Sequence, residues 1–207
     1  MRLDLALAEQ WVRPGTRVLD LGCGDGELLA HLRDKFGVRG YGLEIDTDKI
    51  TSSIHRGVNV IQQNLNLGLG NFRDASFDTV IMTQALQAVE HPDMLLDDML
   101  RVGREAIITF PNFAHWTSRF YLAAKGMMPV SDALPYTWYN TPNIHLCTFH
   151  DFDALCVAKN IIVLDRLAVD GGQQGSILAR IFPNLFGQIA IYRVTRKPVV
   201  LPKPVYA

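Results

Sequence analysis

The run Val18-Leu19-Asp20-Leu21-Gly22-Cys23-Gly24-Asp25-Gly26 has the residue types and spacing to hold a ligand against bare backbone. An apolar strand carries an acid and then crosses three alternating glycines. Glycine permits the sharp turn and leaves no Cβ between backbone and ligand. Glu27-Leu28-Leu29-Ala30-His31-Leu32 continues as a helix, whose first N–H groups lack intrahelical partners and can face an anionic group. The spacing is G-x-G-x-G, tighter than the G-x-G-x-x-G of dinucleotide-binding turns. Taken alone, the glycines also fit a tight strand–helix turn with no ligand. A second strand, Gly40-Tyr41-Gly42-Leu43-Glu44-Ile45-Asp46, narrows the choice because it too ends in acids, Glu44 lying 18 residues beyond Gly26. A carboxylate there is placed to hold a ribose diol, through charge-assisted bonds of roughly 1.5–3 kcal/mol each. Asp46 is expected to cap the helix that follows, with Lys49 and Ile50 inside it.

The strand, its closing acid and the G-x-G-x-G turn resemble motif I of the class I S-adenosylmethionine (SAM) dependent methyltransferases. Such a site needs a sheet with its turns at one edge, and 207 residues suffice for one α/β domain with a full core. The chain is 48% hydrophobic and 20% charged, ordinary for a globular protein. Net charge is −1 and no basic run stands out, so no general nucleic-acid footprint is expected. Met1-Arg2-Leu3-Asp4 does not begin a secretory leader, and no apolar run approaches the length of a membrane span. Cys23, Cys147 and Cys156 are odd in number and lack paired spacing, which argues against a disulfide framework or a zinc site. A cytoplasmic, reducing setting is the expectation.

Strand and helix patterns alternate to the end, which implies a mostly parallel sheet. Strands are expected near 16–21, 38–44, 58–62, 77–82, 105–110, 161–169 and 187–195. Helices are expected near 3–12, 26–36, 47–55, 92–102 and 150–159. The reading is one domain over residues 1–195, interrupted by an insert at 111–149, followed by a Pro-rich extended tail at 196–207. Residues Gly171 to Phe186 read as a mobile loop between the last two strands.

Phe110 to His150 is the anomaly. It spans 41 residues where a connection of 2–6 is usual, and it holds nine of the 19 aromatics. Within it Trp116 to Ala124 has helical spacing, ended by Lys125-Gly126. The topology sets the insert above the C-terminal edge of the sheet, where ligands bind. An apolar cap, a substrate lid and a partner surface are all compatible with its composition. His115 and His145 are placed to serve as general bases, though packing and capping are commoner roles. Neither histidine has carboxylate or cysteine partners at metal-ligand spacing.

Ser76-Phe77-Asp78, Thr83-Gln84-Ala85-Leu86-Gln87, Met99-Leu100-Arg101-Val102-Gly103-Arg104 and Phe110-Pro111-Asn112-Phe113-Ala114-His115-Trp116 together resemble the MetW family of methionine-biosynthesis proteins. Met128-Pro129-Val130, Leu134-Pro135-Tyr136-Thr137-Trp138-Tyr139 and Thr141-Pro142-Asn143-Ile144-His145-Leu146-Cys147-Thr148 look like the same family, so the insert is its signature. The resemblance runs from Arg17 to about Val194. It implies a Rossmann-like class I methyltransferase fold, with a seven-stranded, mostly parallel sheet, helices on both faces and an aromatic-rich insert after strand five. It implies SAM or S-adenosylhomocysteine as ligand, held by Asp20, Gly22, Cys23, Gly24, Gly26, Glu44, Ile45, Asn64, Leu65, Thr83 and Gln84. Asp20 would hold the turn and reach the ligand's amino group. Gly22 to Gly26 would admit the methionine moiety, Glu44 would take the ribose hydroxyls, and Asn64 and Leu65 would flank adenine. Thr83 and Gln84, at the end of strand four, would lie near the methionine portion. Related sequences have Asp-Leu-Asp where this one reads Asn64-Leu65-Asn66. Asn64 still accepts through its side-chain carbonyl, but loses charge assistance of about 1 kcal/mol.

Three roles follow. The resemblance implies a partner that supports a homoserine O-acyltransferase of MetX type, and because SAM is made from methionine, a SAM-binding partner would report the pathway's end product. An active small-molecule methyltransferase is the second, with Trp116, Tyr136 and Tyr139 lining the cavity and attracting the sulfonium by about 0.5–2 kcal/mol per contact. No catalytic base is evident for it at Gln84 or Gln87. A scaffold with a vestigial pocket is the third. Fold alone does not choose among them.

Overall fold

The computed structural model describes residues 3–170, 173–174 and 177–196, and one sheet runs through them. Its strands are β1 (Arg17–Leu21), β2 (Arg39–Glu44), β3 (Asn59–Gln62), β4 (Phe77–Thr83), β5 (Gly103–Pro111), β6 (Ile162–Asp170), β7 (Gln173–Gln174) and β8 (Ile189–Thr195), in the order β3-β2-β1-β4-β5-β8-β6-β7. Strands β1 to β5 pair in parallel, and β8 runs antiparallel between β5 and β6. The seven expected strands are all present. The two-residue β7 adds an eighth at the edge.

The parallel strands alternate between two cores. Leu19, Leu21, Val80, Met82, Ala106 and Ile108 face one side. Val18, Ile81 and Ile107 face the other. The first face is covered by α4 (Pro92–Val102), through Leu95, Leu96 and Met99, and by α6 (Phe149–Ala158), through Phe149 and Phe152. The second is covered by α1 (Leu3–Ala8) and α2 (Glu27–Phe36), the latter through Leu28, Leu29 and Leu32. Helices therefore lie on both faces, as a parallel sheet requires. A buried ion pair locks the antiparallel strand into the sheet. Arg193 donates from Nε and Nη2 to Glu105 Oε2 at 3.0 and 2.8 Å, and from Nη1 to Asp165 at 3.0 Å.

Helix α3 (Thr47–His55) starts as its sequence requires, with the Asp46 carboxylate accepting from the N–H groups of Asp48 and Lys49. Helix α5 (Trp116–Lys125) lies within the insert and ends at Gly126, which has φ +63°. The expected loop from Gly171 to Phe186 instead contains α7 (Ile177–Ile181) and α8 (Pro183–Phe186). Residues 171, 172, 175 and 176 of that stretch, and all of the expected tail beyond 196, lie outside the described residues. No helix among the described residues is long and apolar enough to cross a membrane.

Candidate functional site

The strand order reverses between β1 and β4, and ligands bind at such a switch point outside the carboxyl ends of the strands. A cleft of about 840 Å³ opens there. The glycine turn is pinned at the wall of the cleft, because Gly22 and Cys23 both donate their N–H to Leu43 O, at 2.8 and 3.0 Å. Gly22, Gly24 and Gly26 all have positive φ, between +58° and +77°, a region closed to most side chains. A Cβ on Gly24 would meet no protein atom within 4 Å, so the open space of the cleft begins at its backbone.

Glu44 organises this turn. Its Oε2 accepts from Gly24 N at 2.9 Å, and its Oε1 accepts from the N–H groups of Ile45 and Asp46 at 2.8 and 3.0 Å. A carboxylate offers about four lone-pair sites, so three are already engaged and the acid bonds the glycine turn to the end of β2. Gly42 is part of the same device, and the motif reading did not single it out. A Cβ there would stand 2.3 Å from Cys23 Sγ, so only glycine lets β2 pass the turn. The Cys23 thiol is pushed up to about 12 by burial, with Asp20 and Glu44 adding to the shift, so it stays neutral and packs rather than reacts.

Ten of the eleven expected site residues line the cleft. Gly26 does not. It stands at the head of α2, where a Cβ would come within 2.9 Å of Ser53 Oγ, so its place is in the packing of α2 against α3. Asn64 lines the cleft but is already a cap, its Oδ1 accepting from Asn66 N at 3.0 Å. Gln84 adopts φ +54°, a strained conformation for a residue with a side chain, directly at the cleft. No sequence signal marks it.

The start of α2 differs from the expected anion site. Glu27 N donates to Asp25 Oδ1 at 3.3 Å, and Arg56 holds the same carboxylate at 2.7 Å. The cleft is lined by five carboxylates, of Asp20, Asp25, Glu27, Glu44 and Asp132, against one ammonium, of Lys49. Such a lining disfavours a pyrophosphate and suits a ligand carrying positive charge.

The insert roofs this cleft through Asp132, Ala133, Pro135, Tyr136, Pro142 and Asn143. It is tied down at Gln87, whose backbone carbonyl accepts from both Ile144 N and His145 N, at 2.8 and 3.0 Å. Of the three aromatics expected to line the cavity, Tyr136 does so. Trp116 and Tyr139 lie exposed outside it, because composition marks a segment as apolar without saying which side faces in. Neither candidate general base reaches the cleft. His115 is buried at the head of α5, its Nδ1 2.7 Å from Thr117 Oγ1 and its Nε2 3.8 Å from Asp170. His145 Nε2 lies 3.2 Å from Glu90 O, joining the insert to the loop before α4.

A family profile described as "Methionine biosynthesis protein MetW" matches residues 2–194. The bifunctional methionine biosynthesis protein MetXA/MetW of Rhodopirellula baltica is 38% identical over 192 residues, covering 88% of this chain and 31% of that protein. A ubiquinone/menaquinone biosynthesis C-methyltransferase of Stenotrophomonas maltophilia is 31% identical over 130 residues, 56% of this chain and 51% of the relative. The chain thus spans about half or less of these relatives. Among solved structures, a SAM-dependent methyltransferase from Mesorhizobium loti superposes with a TM-score of 0.66 at 14% identity, covering 91% of this chain and 95% of that one. The [4+2]-cyclase SpnF gives 0.66 at 17% identity, covering 93% and 80%. At these identities the likeness is one of fold, and the cyclase shows that the fold serves more than one chemistry. Membership rests instead on the profile over nearly the whole chain and on the bifunctional relative: the chain belongs to the MetW family of methionine biosynthesis proteins.

Proposed function

We propose that this chain binds SAM or S-adenosylhomocysteine in its cleft and supports a homoserine O-acyltransferase of MetX type. The observation that carries the reading is the Rhodopirellula relative, whose name joins MetXA and MetW in one polypeptide. Fusion holds two units at high effective concentration, which benefits partners that act together. The cleft fits the ligand class. Its open space begins at the bare backbone of Gly24, and its acidic lining complements a sulfonium and an ammonium.

In this reading Glu44 offers its remaining lone-pair site to the ribose while keeping the turn closed. Asp20 takes the ligand's amino group. The backbone from Gly22 to Gly24, with Thr83 and Gln84, borders the methionine portion. Ile45, Asn64 and Leu65 border adenine, with Asn64 accepting through the second lone pair of its carbonyl. When bound, SAM supplies an electrophilic methyl group. The test is the acyltransferase rate of the cognate enzyme with and without this chain. A severalfold rise supports the reading, and an unchanged rate removes it.

Methyl transfer to a small acceptor is the second reading. Tyr136 and Asp132 favour it, since they set a ring and a carboxylate at the roof of the cleft. Conversion of SAM to S-adenosylhomocysteine in the presence of a methionine-pathway metabolite would establish it.

A further inference from the structure

The insert has a second concavity beside the cleft. It is a hollow of about 170 Å³ lined by apolar and neutral groups alone, among them Met128, Tyr136, Trp138, Ile144 and Leu146. An apolar cavity of about 150 Å³ is large enough to take a benzene ring. The side chains around it stay in water. Trp138 is 75% exposed and Ile144 59%, while Met128, Tyr136 and Leu146 lie between 40% and 48%. Tyr139, which packs edge-on against Trp138 at 5.7 Å, is 72% exposed. At about 150–250 Å² per aromatic side chain and somewhat less for the others, these six leave on the order of 600 Å² of mainly apolar surface open. A stable standard-size interface covers about 800 Å² on each partner, and an apolar patch at the upper end of the roughly 300–600 Å² found on monomers is often a functional surface.

We propose that this outer face of the insert is where the homoserine acyltransferase docks, an apolar side chain of that enzyme filling the hollow beside Trp138. This rests on the reading above that such an enzyme is the partner. The occupant follows from two observations. The bifunctional relative carries a MetXA unit in the same chain as its MetW unit. The hollow also lacks charged groups, so its occupant is apolar and its binding is insensitive to salt. Tyr136 and Asn143 line both the hollow and the cleft, so the docking surface and the ligand site share one wall.

The experiment measures calorimetric binding of the full-length chain to the acyltransferase of the same organism. Three proteins are compared: wild type, the double variant Trp138→Ala/Tyr139→Ala, and Val157→Asp as a control on the exposed face of α6. The double variant is expected to lose about thirtyfold or more in affinity, as truncation of central aromatic anchors does. Val157→Asp is expected to bind as wild type does. The double variant must also keep the wild-type melting temperature, which separates a lost surface from a lost fold. Equal binding by wild type and double variant overturns the docking surface and leaves the partnership standing. Failure of the wild type to bind overturns both. A wild-type dimer in sedimentation that the double variant abolishes, with acyltransferase binding unchanged, assigns the face to a second copy of this chain and overturns the proposal.

Discussion

The floor of the cleft and its roof are built on opposite plans. In the floor, backbone groups are tied by short bonds to one another and to the Glu44 carboxylate, and glycines admit approaches that no other residue allows. The roof is tied to the loops around the sheet at a few points, among them Asn112, the Gln87 carbonyl and the Glu90 carbonyl, and exposes several of its aromatics. A floor of this kind is preorganised for a small ligand, whereas the apolar face of the roof stays incomplete until something macromolecular covers it. One molecule thus holds a site whose design is finished and a surface whose design is not.

Gly42→Ala gives the largest break in this comparison. Its Cβ would press on Cys23 Sγ, and overpacking of that kind costs about 1–3 kcal/mol. Urea denaturation should show that loss, while Trp138→Ala in the roof leaves the midpoint within experimental error. A Gly42→Ala protein as stable as wild type would mean that the floor is not the rigid half.

Glu44→Ala comes next. It removes the acceptor for three N–H groups and the proposed acceptor for the ribose, and calorimetry should show SAM affinity falling tenfold or more. Unchanged affinity would remove Glu44 from the site. Tyr136→Ala tests the shared wall. It should weaken SAM binding by only about threefold, consistent with a cation–π contact of about 0.5–1 kcal/mol at a partly exposed ring.

The smallest effect is one of pH. Burial holds the His115 imidazole below its ordinary value, against the pull of Asp170 and of the Phe186 backbone. Because the folded value is lowered, the unfolded chain takes the proton first as pH falls. Stability is therefore complete above about pH 6.5 and declines as pH drops toward the folded value. Melting temperatures between pH 7.5 and 5.5 should fall, and His115→Gln should flatten that slope.

The floor was legible in the sequence because each of its devices leaves a local trace. Alternating glycines mark the turn, and an acid at the end of β2 marks the carboxylate that ties that turn to the strand. The strands of the sheet read as apolar runs of the right length. The roof was legible as a region but not in its orientation, since Trp116, Tyr136 and Tyr139 are equally aromatic and only Tyr136 faces the cleft. The packing role of Gly42 and the positive φ of Gln84 involve neighbours distant in the chain, Cys23 and Thr109, which no local pattern reveals. Helices α7 and α8, of five and four residues, are too short to carry a 3.6-residue period. The histidines show the converse, because side chains able to act as bases serve instead as a buried ring at a helix start and a tie to the Glu90 carbonyl.

The shared wall couples the ligand cleft to the docking surface, and that coupling is directly measurable. The affinity of this chain for the cognate acyltransferase should be determined without SAM and at saturating SAM. The two values should differ, and the acyltransferase should change the affinity for SAM by the same factor, as linkage requires. Identical affinities in both conditions would mean that floor and roof act independently, and would contradict the coupling.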